Sequence, residues 1–188
     1  MWLLIDNYDS FTHILHHYLL QIHDDIIVIR NDELDLEGII KMNPERIIIS
    51  PGPKTPMDAG VTNAVIHHFV AHIPILGICL GHQALGIYFG AAIKKALKPV
   101  HGSATSISHQ NAPLFAGIPN YFQAMRYHSL IISEWETTNI IPLAFSEEGE
   151  LMAFSHAVFP ATGIQFHPES ILTEHGLKLL KNWHISCS

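Results

Sequence analysis

One cysteine stands in a setting that suits a nucleophile. Cys79 lies in the run Gly77-Ile78-Cys79-Leu80-Gly81, after an apolar segment typical of a buried strand and before one typical of a helix. A Gly-x-Cys-x-Gly run at a strand-to-helix turn has the pattern of a nucleophile elbow with sulfur in place of oxygen. The glycines permit a sharp turn, and the helix start favours a thiolate through its partial positive charge. We therefore predict that Cys79 is a nucleophile.

A thiolate nucleophile needs a base, and the run His167-Pro168-Glu169 offers one far along the chain. Pro168 disfavours helical geometry at His167, so an extended segment is expected there. Side chains two residues apart in an extended chain point to the same side, which brings His167 and Glu169 together. The run follows the strand pattern of residues 161–166. Cys79, His167 and Glu169 are therefore the candidate members of a catalytic triad at strand ends.

Acyl transfer to a thiolate also requires donors for the negative charge that develops on the substrate oxygen. The residue after an elbow nucleophile, here Leu80, usually supplies one backbone N–H. The run Pro51-Gly52-Pro53 offers a second donor at Gly52, because proline has no N–H. This tripeptide alone is typical of a rigid turn after a strand. Beside the Cys79 elbow, it favours an oxyanion hole formed by Gly52 and Leu80.

The elements that must position these residues follow an alternating pattern. Predicted strands and helices alternate through the first half, at Trp2–Ile5, Ser10–Ile22, Ile26–Arg30, Leu34–Met42, Arg46–Ser50, Val61–His72 and Ile75–Ile78. This alternation predicts an α/β fold with a doubly wound, mostly parallel sheet and helices on both faces. Shorter strand-like runs at Ser129–Ser133, Ile140–Phe145 and Leu151–Ser155 predict a small antiparallel addition in the second half. In such sheets, sites form at the carboxyl ends of strands, where Gly52, Cys79 and His167 all fall.

The bulk composition limits the functional classes. A chain of 188 residues with 48% hydrophobic and 14% charged residues is expected to form one folded domain, residues 1–188. A net charge of -7 offers no basic surface for nucleic acid, and two cysteines give no disulfide framework. The first residues do not have the pattern of a signal peptide. The apolar stretch from Ile73 to Ile93 contains His82 and Gln83 and suits a strand, an elbow and a buried helix. We expect a cytoplasmic protein bound neither to nucleic acid nor to membrane.

Fifteen histidines raise the question of a metal site. His13 and His17, and likewise His68 and His72, are spaced by four residues on predicted helices. Zinc ligands can be spaced in this way, but no cysteine or acidic residue completes a set of ligands. We therefore predict no metal site.

Several motifs together resemble those of the class I glutamine amidotransferases. They are Pro51-Gly52-Pro53, Gly77-Ile78-Cys79-Leu80-Gly81-His82-Gln83, Arg126-Tyr127-His128-Ser129-Leu130 and Gly163-Ile164-Gln165-Phe166-His167-Pro168-Glu169-Ser170. The likeness extends over nearly the whole chain. The run from Asp6 to Thr12, with Pro56–Gly60 and His101-Gly102, is similar to the small glutaminase subunits of aminodeoxychorismate synthase and anthranilate synthase. Ser103 departs from the lysine that is common in this branch.

The resemblance implies a mechanism and a partner. Cys79 would attack the side-chain amide of glutamine, His167 would act as acid and base, and Glu169 would orient His167. Gly52 and Leu80 would form the oxyanion hole. The glutamine would be held by Gln83 and by the backbone of Ser129 and Leu130. Ammonia would pass to a chorismate-binding synthase subunit (component I), and no cofactor is implied.

Two other functions remain open at this point. A stand-alone thiol hydrolase or peptidase could use Cys79 and His167 on another γ-glutamyl or peptide substrate. A regulatory binding module could share the fold without catalysis. The motif from Arg126 to Leu130 favours an amidotransferase over the first, and the complete set of Cys79, His167 and Glu169 argues against the second. The length of the chain leaves room for a glutaminase but not for an ammonia-using domain.

Overall fold

A computed structural model describes residues 1–187, which contain nine strands and five α-helices. The strands are β1 (Trp2–Asp6), β2 (Ile26–Arg30), β3 (Arg46–Ile49), β4 (Ile75–Ile78), β5 (Ala92–His109), β6 (Tyr121–Ser133), β7 (Ile140–Ser146), β8 (Leu151–His156) and β9 (Ala161–Ile164). The helices are α1 (Thr12–Leu19), α2 (Leu36–Met42), α3 (Thr62–Phe69), α4 (Leu80–Tyr88) and α5 (Gly176–Ser186). No helix within residues 1–187 is both long and apolar enough to cross a membrane.

The nine described strands form one sheet in the order β2-β1-β3-β4-β9-β8-β7-β5-β6. Strands β1 to β4 and β9 pair in parallel, and β5 to β8 continue the sheet in antiparallel pairing. The predicted α/β class with a mostly parallel, doubly wound sheet is confirmed. The antiparallel part is more extensive than the sequence indicated. It includes the 18-residue strand β5, which was not predicted, and β6, which was predicted only from Ser129 onwards.

Helices cover both faces of the parallel part. Side chains alternate along β1, so that Leu4 packs with Leu15 of α1 and Leu179 of α5. Leu3, on the other face, joins a cluster with Val65 of α3. These side chains are fully buried, and each contributes about 1.5–3 kcal/mol to stability through removal from water. Burial on both faces explains why these strands are continuously apolar.

The sheet brings three loops to one edge. Strand β3 precedes the Pro51-Gly52-Pro53 turn, β4 precedes Cys79, and β9 precedes the loop that carries His167. The three strands are neighbours in the order β3-β4-β9 and run in parallel, with Ile49, Gly77 and Gly163 in register. Their loops therefore emerge side by side at the carboxyl edge of the sheet.

Candidate active site

The Cys79 loop has the predicted strand–turn–helix geometry. Cys79 directly precedes α4, and its φ of 51° lies in the left-handed region that side chains other than glycine and asparagine rarely adopt. A residue held in such a conformation costs of order 1–3 kcal/mol, which the surrounding packing must supply. The N–H of Cys79 donates to the carbonyl of Ile164 at 2.8 Å, which ties the loop to β9. Cys79 is thus held in one strained orientation at the start of a helix.

Two glycines make this close turn possible. A Cβ atom added to Gly77 would lie 2.4 Å from the backbone carbon and oxygen of Gly81. A Cβ atom added to Gly81 would lie 2.6 Å from the carbonyl oxygen of Ile49. Both distances are shorter than a real Cβ contact, so only glycine permits α4 to start this close to β3 and β4.

The side chains of His167 and Glu169 are in contact as expected, but the backbone between them is not extended as predicted. Nδ1 of His167 lies 2.7 Å from Oε1 of Glu169, and both side chains are buried. The expectation of an extended segment was wrong: β9 ends at Ile164, and residues 168–169 form a turn. The carbonyl of His167 accepts from the N–H of Ser170 at 3.2 Å and from Oγ1 of Thr173 at 2.6 Å. These two donors fold the chain back at Pro168 and direct the Glu169 carboxylate towards the imidazole.

The imidazole of His167 is held in its charged form by its neighbours. Burial lowers its pKa, but the Cys79 thiol and the Glu169 carboxylate together raise it by more, to about 10. Nε2 of His167 is buried and makes no hydrogen bond of standard geometry within the described residues. Cys79 therefore lies close enough to His167 to raise the pKa of its ring. Nε2 is left available to a reacting group.

Gly52 and Leu80 lie beside Cys79, as predicted. All three line a cavity of about 170 Å³. Leu80 is the first residue of α4, where backbone N–H groups have no partner within the helix. A Cβ atom on Gly52 would lie 2.5 Å from Cβ of Asn7 and 2.8 Å from Cδ2 of Leu80. The absence of a side chain at Gly52 therefore lets its backbone pack closely against Asn7 and Leu80 beside the cavity.

The residues predicted to hold glutamine line the same cavity. These residues are Gln83, Ser129 and Leu130. Nε2 of Gln83 donates to the carbonyl of Leu130 at 3.0 Å and to Oε1 of Gln165 at 3.1 Å. The β5–β6 register skips Ser129, because Lys95 pairs with Leu130 whereas Val100 pairs with His128. This irregularity directs the backbone of Ser129 to the cavity instead of to a ladder.

Sequence reasoning missed several residues around the nucleophile. Asp9, which was not among the predicted site residues, lines a second cavity, of about 200 Å³, with Cys79 and His167. Burial raises the pKa of its carboxyl, although the N–H of Phe11 and the charge of His167 oppose that rise. The position of Asp9 after β1, on the edge that carries Cys79, was the available signal. Tyr127, which lines both cavities, had no signal of its own beyond its place in the motif.

The structure thus gathers the predicted residues at one place. Gly52, Cys79, Leu80, Gln83, Ser129 and Leu130 share the first cavity, His167 lines the adjoining one, and Glu169 contacts His167 from behind. His128 also lines the first cavity, and His82 is buried against Phe154. Within residues 1–187, no group of three or more His, Cys, Asp or Glu side chains is arranged to hold a metal ion.

Comparison with known proteins identifies the family. The model of the class I glutamine amidotransferases matches residues 3–187. The chain belongs to this family. It is 49% identical over 184 residues to the aminodeoxychorismate synthase component 2 of Klebsiella aerogenes, covering 97% of this chain and 98% of that one. It is 44% identical over 189 residues to the anthranilate synthase component 2 of Pseudomonas aeruginosa, covering 97% and 94%. The resemblance inferred from the motifs is confirmed.

A solved structure supports the same assignment of fold. A Thermoplasma acidophilum protein described as one subunit of a GMP synthase superposes on this amidotransferase with a TM-score of 0.86 at 25% sequence identity. The superposition covers 99% of this chain and 92% of the other. The fold of this chain is therefore shared with that solved structure over nearly its whole length.

Proposed function

We propose that this amidotransferase is the glutaminase subunit of a chorismate-aminating synthase, and that it hydrolyses glutamine to glutamate and ammonia. The observation that carries the proposal is the buried pair of His167 and Glu169 next to the strained Cys79. Cys79 lines the cavity that Gln83 and the Ser129–Leu130 backbone also line, and His167 lines the adjoining cavity with Cys79. A thiol, an imidazolium and backbone donors at one cavity are the parts of an acyl-transfer site.

The geometry supports a two-step reaction. The Cys79 thiolate attacks the amide carbon of glutamine, and the charge that forms on the amide oxygen is stabilised by the N–H groups of Gly52 and Leu80. His167 gives its Nε2 proton to the leaving nitrogen, so that ammonia departs and a γ-glutamyl thioester remains. His167 then removes a proton from water, which attacks the thioester, releases glutamate and restores the Cys79 thiolate beside the protonated His167. Glu169 keeps the imidazole oriented in both steps.

The proposed partner is the chorismate-binding component I of such a synthase. Relatives that match over nearly their full length are named component 2 of aminodeoxychorismate synthase and of anthranilate synthase. Ammonia released at Cys79 would be used by component I to aminate chorismate, for para-aminobenzoate or for anthranilate. Control of the glutaminase by this partner prevents wasteful glutamine hydrolysis.

Release of glutamate from glutamine tests the proposal. The purified chain is assayed alone and with each candidate component I of its own organism. Cys79→Ala is assayed beside it, with Cys187→Ala as the matched cysteine control. We expect partner-stimulated release that is abolished in Cys79→Ala and retained in Cys187→Ala. Turnover that persists in Cys79→Ala would exclude Cys79 as the nucleophile, and a folded chain inactive with every partner would favour a thiol hydrolase of another substrate.

A further inference from the structure

A buried arginine that no step of this mechanism uses points at the glutamine side of the cavity. Arg126 lies in β6, and its Nη2 contacts Glu150 at 2.5 Å while its Nη1 contacts Glu148 at 3.3 Å. Its Nε donates to Nε2 of His128 at 3.1 Å. A guanidinium can only donate, so Nε2 of His128 must accept and carry no proton. The proton of His128 is therefore on Nδ1, which donates to the carbonyl of Leu130 at 3.0 Å.

This chain of hydrogen bonds ends on a backbone that lines the cavity. The carbonyl of Leu130 accepts from Nδ1 of His128 and also from Nε2 of Gln83. It flanks Ser129, the residue that the β5–β6 ladder skips. Strand pairing therefore holds Leu130 but not Ser129, and the two side-chain donors fix the Leu130 carbonyl beside this unpaired residue.

The hydrogen bonds from Arg126 to His128 and from His128 to Leu130 can form together with only one tautomer of His128. Burial lowers the pKa of His128 to about 3, and the charge of Arg126 acts in the same direction. The ring is therefore neutral at neutral pH, and it carries a single proton on one of two nitrogens. With the proton on Nε2, the ring would oppose the donor of Arg126 and leave the Leu130 carbonyl without one partner.

A purely structural role for Arg126 would be met by the ion pairs alone. Glu150 is buried, and its Oε1 also accepts from the N–H of Leu97 at 2.8 Å, so Arg126 neutralises a carboxylate that fixes β5. The terminal nitrogens Nη1 and Nη2 make those ion pairs. The contact of Nε with His128 is additional to them and is directed to the cavity.

We propose that Arg126 is a positioning residue for the glutamine substrate, fixing His128 as its Nδ1–H tautomer and thereby the Ser129–Leu130 backbone. This inference rests on the proposed function of the site. It adds a residue that does not line the cavity and acts through His128.

Substitution by lysine separates the two roles of Arg126. Lysine has a methylene where arginine has Nε, and its ammonium stands where Cζ stood. Arg126→Lys therefore keeps a positive charge beside Glu150 and removes the donor to His128. Arg46→Lys is the matched control. Arg46 is also buried and stacks on Trp2 and Trp183, but it lies at the amino end of β3, whereas the cavity lies at the carboxyl ends of the strands.

Two measurements test the positioning role of Arg126. Both are made in a Cys79→Ala background, so that bound glutamine is not consumed. Nitrogen-15 shifts of the His128 ring report its tautomer, with the signal assigned by its loss in His128→Asn. Calorimetric titration with glutamine gives the Kd. For Arg126→Lys, we expect loss of the pure Nδ1–H form and a Kd raised about tenfold or more, the usual weight of a hydrogen bond to a charged group. We expect neither change for Arg46→Lys.

The outcomes distinguish the two proposals. An unchanged tautomer in folded Arg126→Lys, or a changed tautomer with an unchanged Kd, would overturn the positioning role and leave Arg126 as a structural ion pair. Failure of the Cys79→Ala parent itself to bind glutamine would instead count against the proposed function.

Discussion

The parallel and antiparallel parts of the sheet contribute to the site in different ways. Strands β3, β4 and β9 are short and fully buried, and they bring Gly52, Cys79 and His167 to one edge with little freedom in the backbone. The hairpin of β5 and β6 is long, its strand β5 is largely exposed, and it breaks register where it meets the cavity. The difference indicates that rigid, buried strands hold the reacting groups, whereas an irregular hairpin shapes the substrate side.

The two parts also differ in what holds them together. Ile47, Ile48 and Ile49 are fully buried, so β3 is held by apolar packing on both faces. Arg126 and Glu150, in contrast, form a buried ion pair in the antiparallel part. Buried ion pairs add less to stability than apolar packing of similar volume, but they demand a specific geometry. We expect changes in the parallel part to affect chemistry and stability, and changes in the hairpin to affect glutamine binding.

The largest effect is expected where the parallel part meets the chemistry, at His167. His167→Ala removes the proton donor to ammonia and the acceptor from water, and we expect glutaminase kcat to fall by about 10²–10⁴-fold. KM should change little, because Gln83, Ser129 and Leu130 remain in place. His13→Ala, at an exposed position of α1, is the control and should keep full activity. A rise in KM with little change in kcat would indicate that His167 acts in glutamine binding and not in catalysis.

The parallel part of the fold was predictable because its signals are local and strong. Runs such as Ile47-Ile48-Ile49 are apolar without interruption, so the parallel strands were placed within one or two residues. Strand β5 gave no such signal. It contains Pro99 and Gly102, which usually argue against a strand, and its many exposed residues depend on pairing with β6. Only tertiary pairing reveals it.

In the site, too, the features fixed by neighbouring residues were predictable and those that depend on tertiary contacts were not. Cys79 and His167 could be placed because an elbow and a strand end fix them from neighbouring residues alone. The turn at Pro168 was missed because its donors, Ser170 and Thr173, bond to the His167 carbonyl only in the folded chain. The role inferred for Arg126 depends on Glu150 and His128 meeting it in the folded structure, and no spacing in the sequence shows that.

A glycine in each part tests the contrast in rigidity. Gly77→Ala would place a Cβ atom 2.4 Å from the Gly81 backbone, so the elbow must shift, at a cost of about 3 kcal/mol in unfolding free energy. In Gly149→Ala, in the turn between β7 and β8, the added Cβ atom has no neighbour within 4 Å, and the only cost is the strain of a left-handed φ of 76°. That cost is about 1 kcal/mol. Urea denaturation measures both, and equal losses would contradict the view that the parallel part is the less adaptable one.

The smallest loss of glutaminase activity is expected for a change at Glu169, and the pH dependence of activity shows it most clearly. The pKa of His167 is raised from 6.5 to about 10, so the imidazolium persists at neutral pH and is lost only as pH rises through about 10. Glu169→Gln keeps an acceptor for Nδ1 but removes the carboxylate charge, one of the causes that raise this pKa. At pH 7 we expect a loss of about tenfold or less, smaller than that of His167→Ala.

The alkaline limb of kcat/KM for glutamine provides the sharper measurement. In the wild type, this limb reports loss of the proton that His167 gives to ammonia, so it should lie near pH 10. In Glu169→Gln the imidazolium loses its proton more readily, and the limb should move to lower pH. An unmoved limb would mean that Glu169 orients the ring without holding its charge. The raised pKa of His167 would then rest on the neighbouring Cys79.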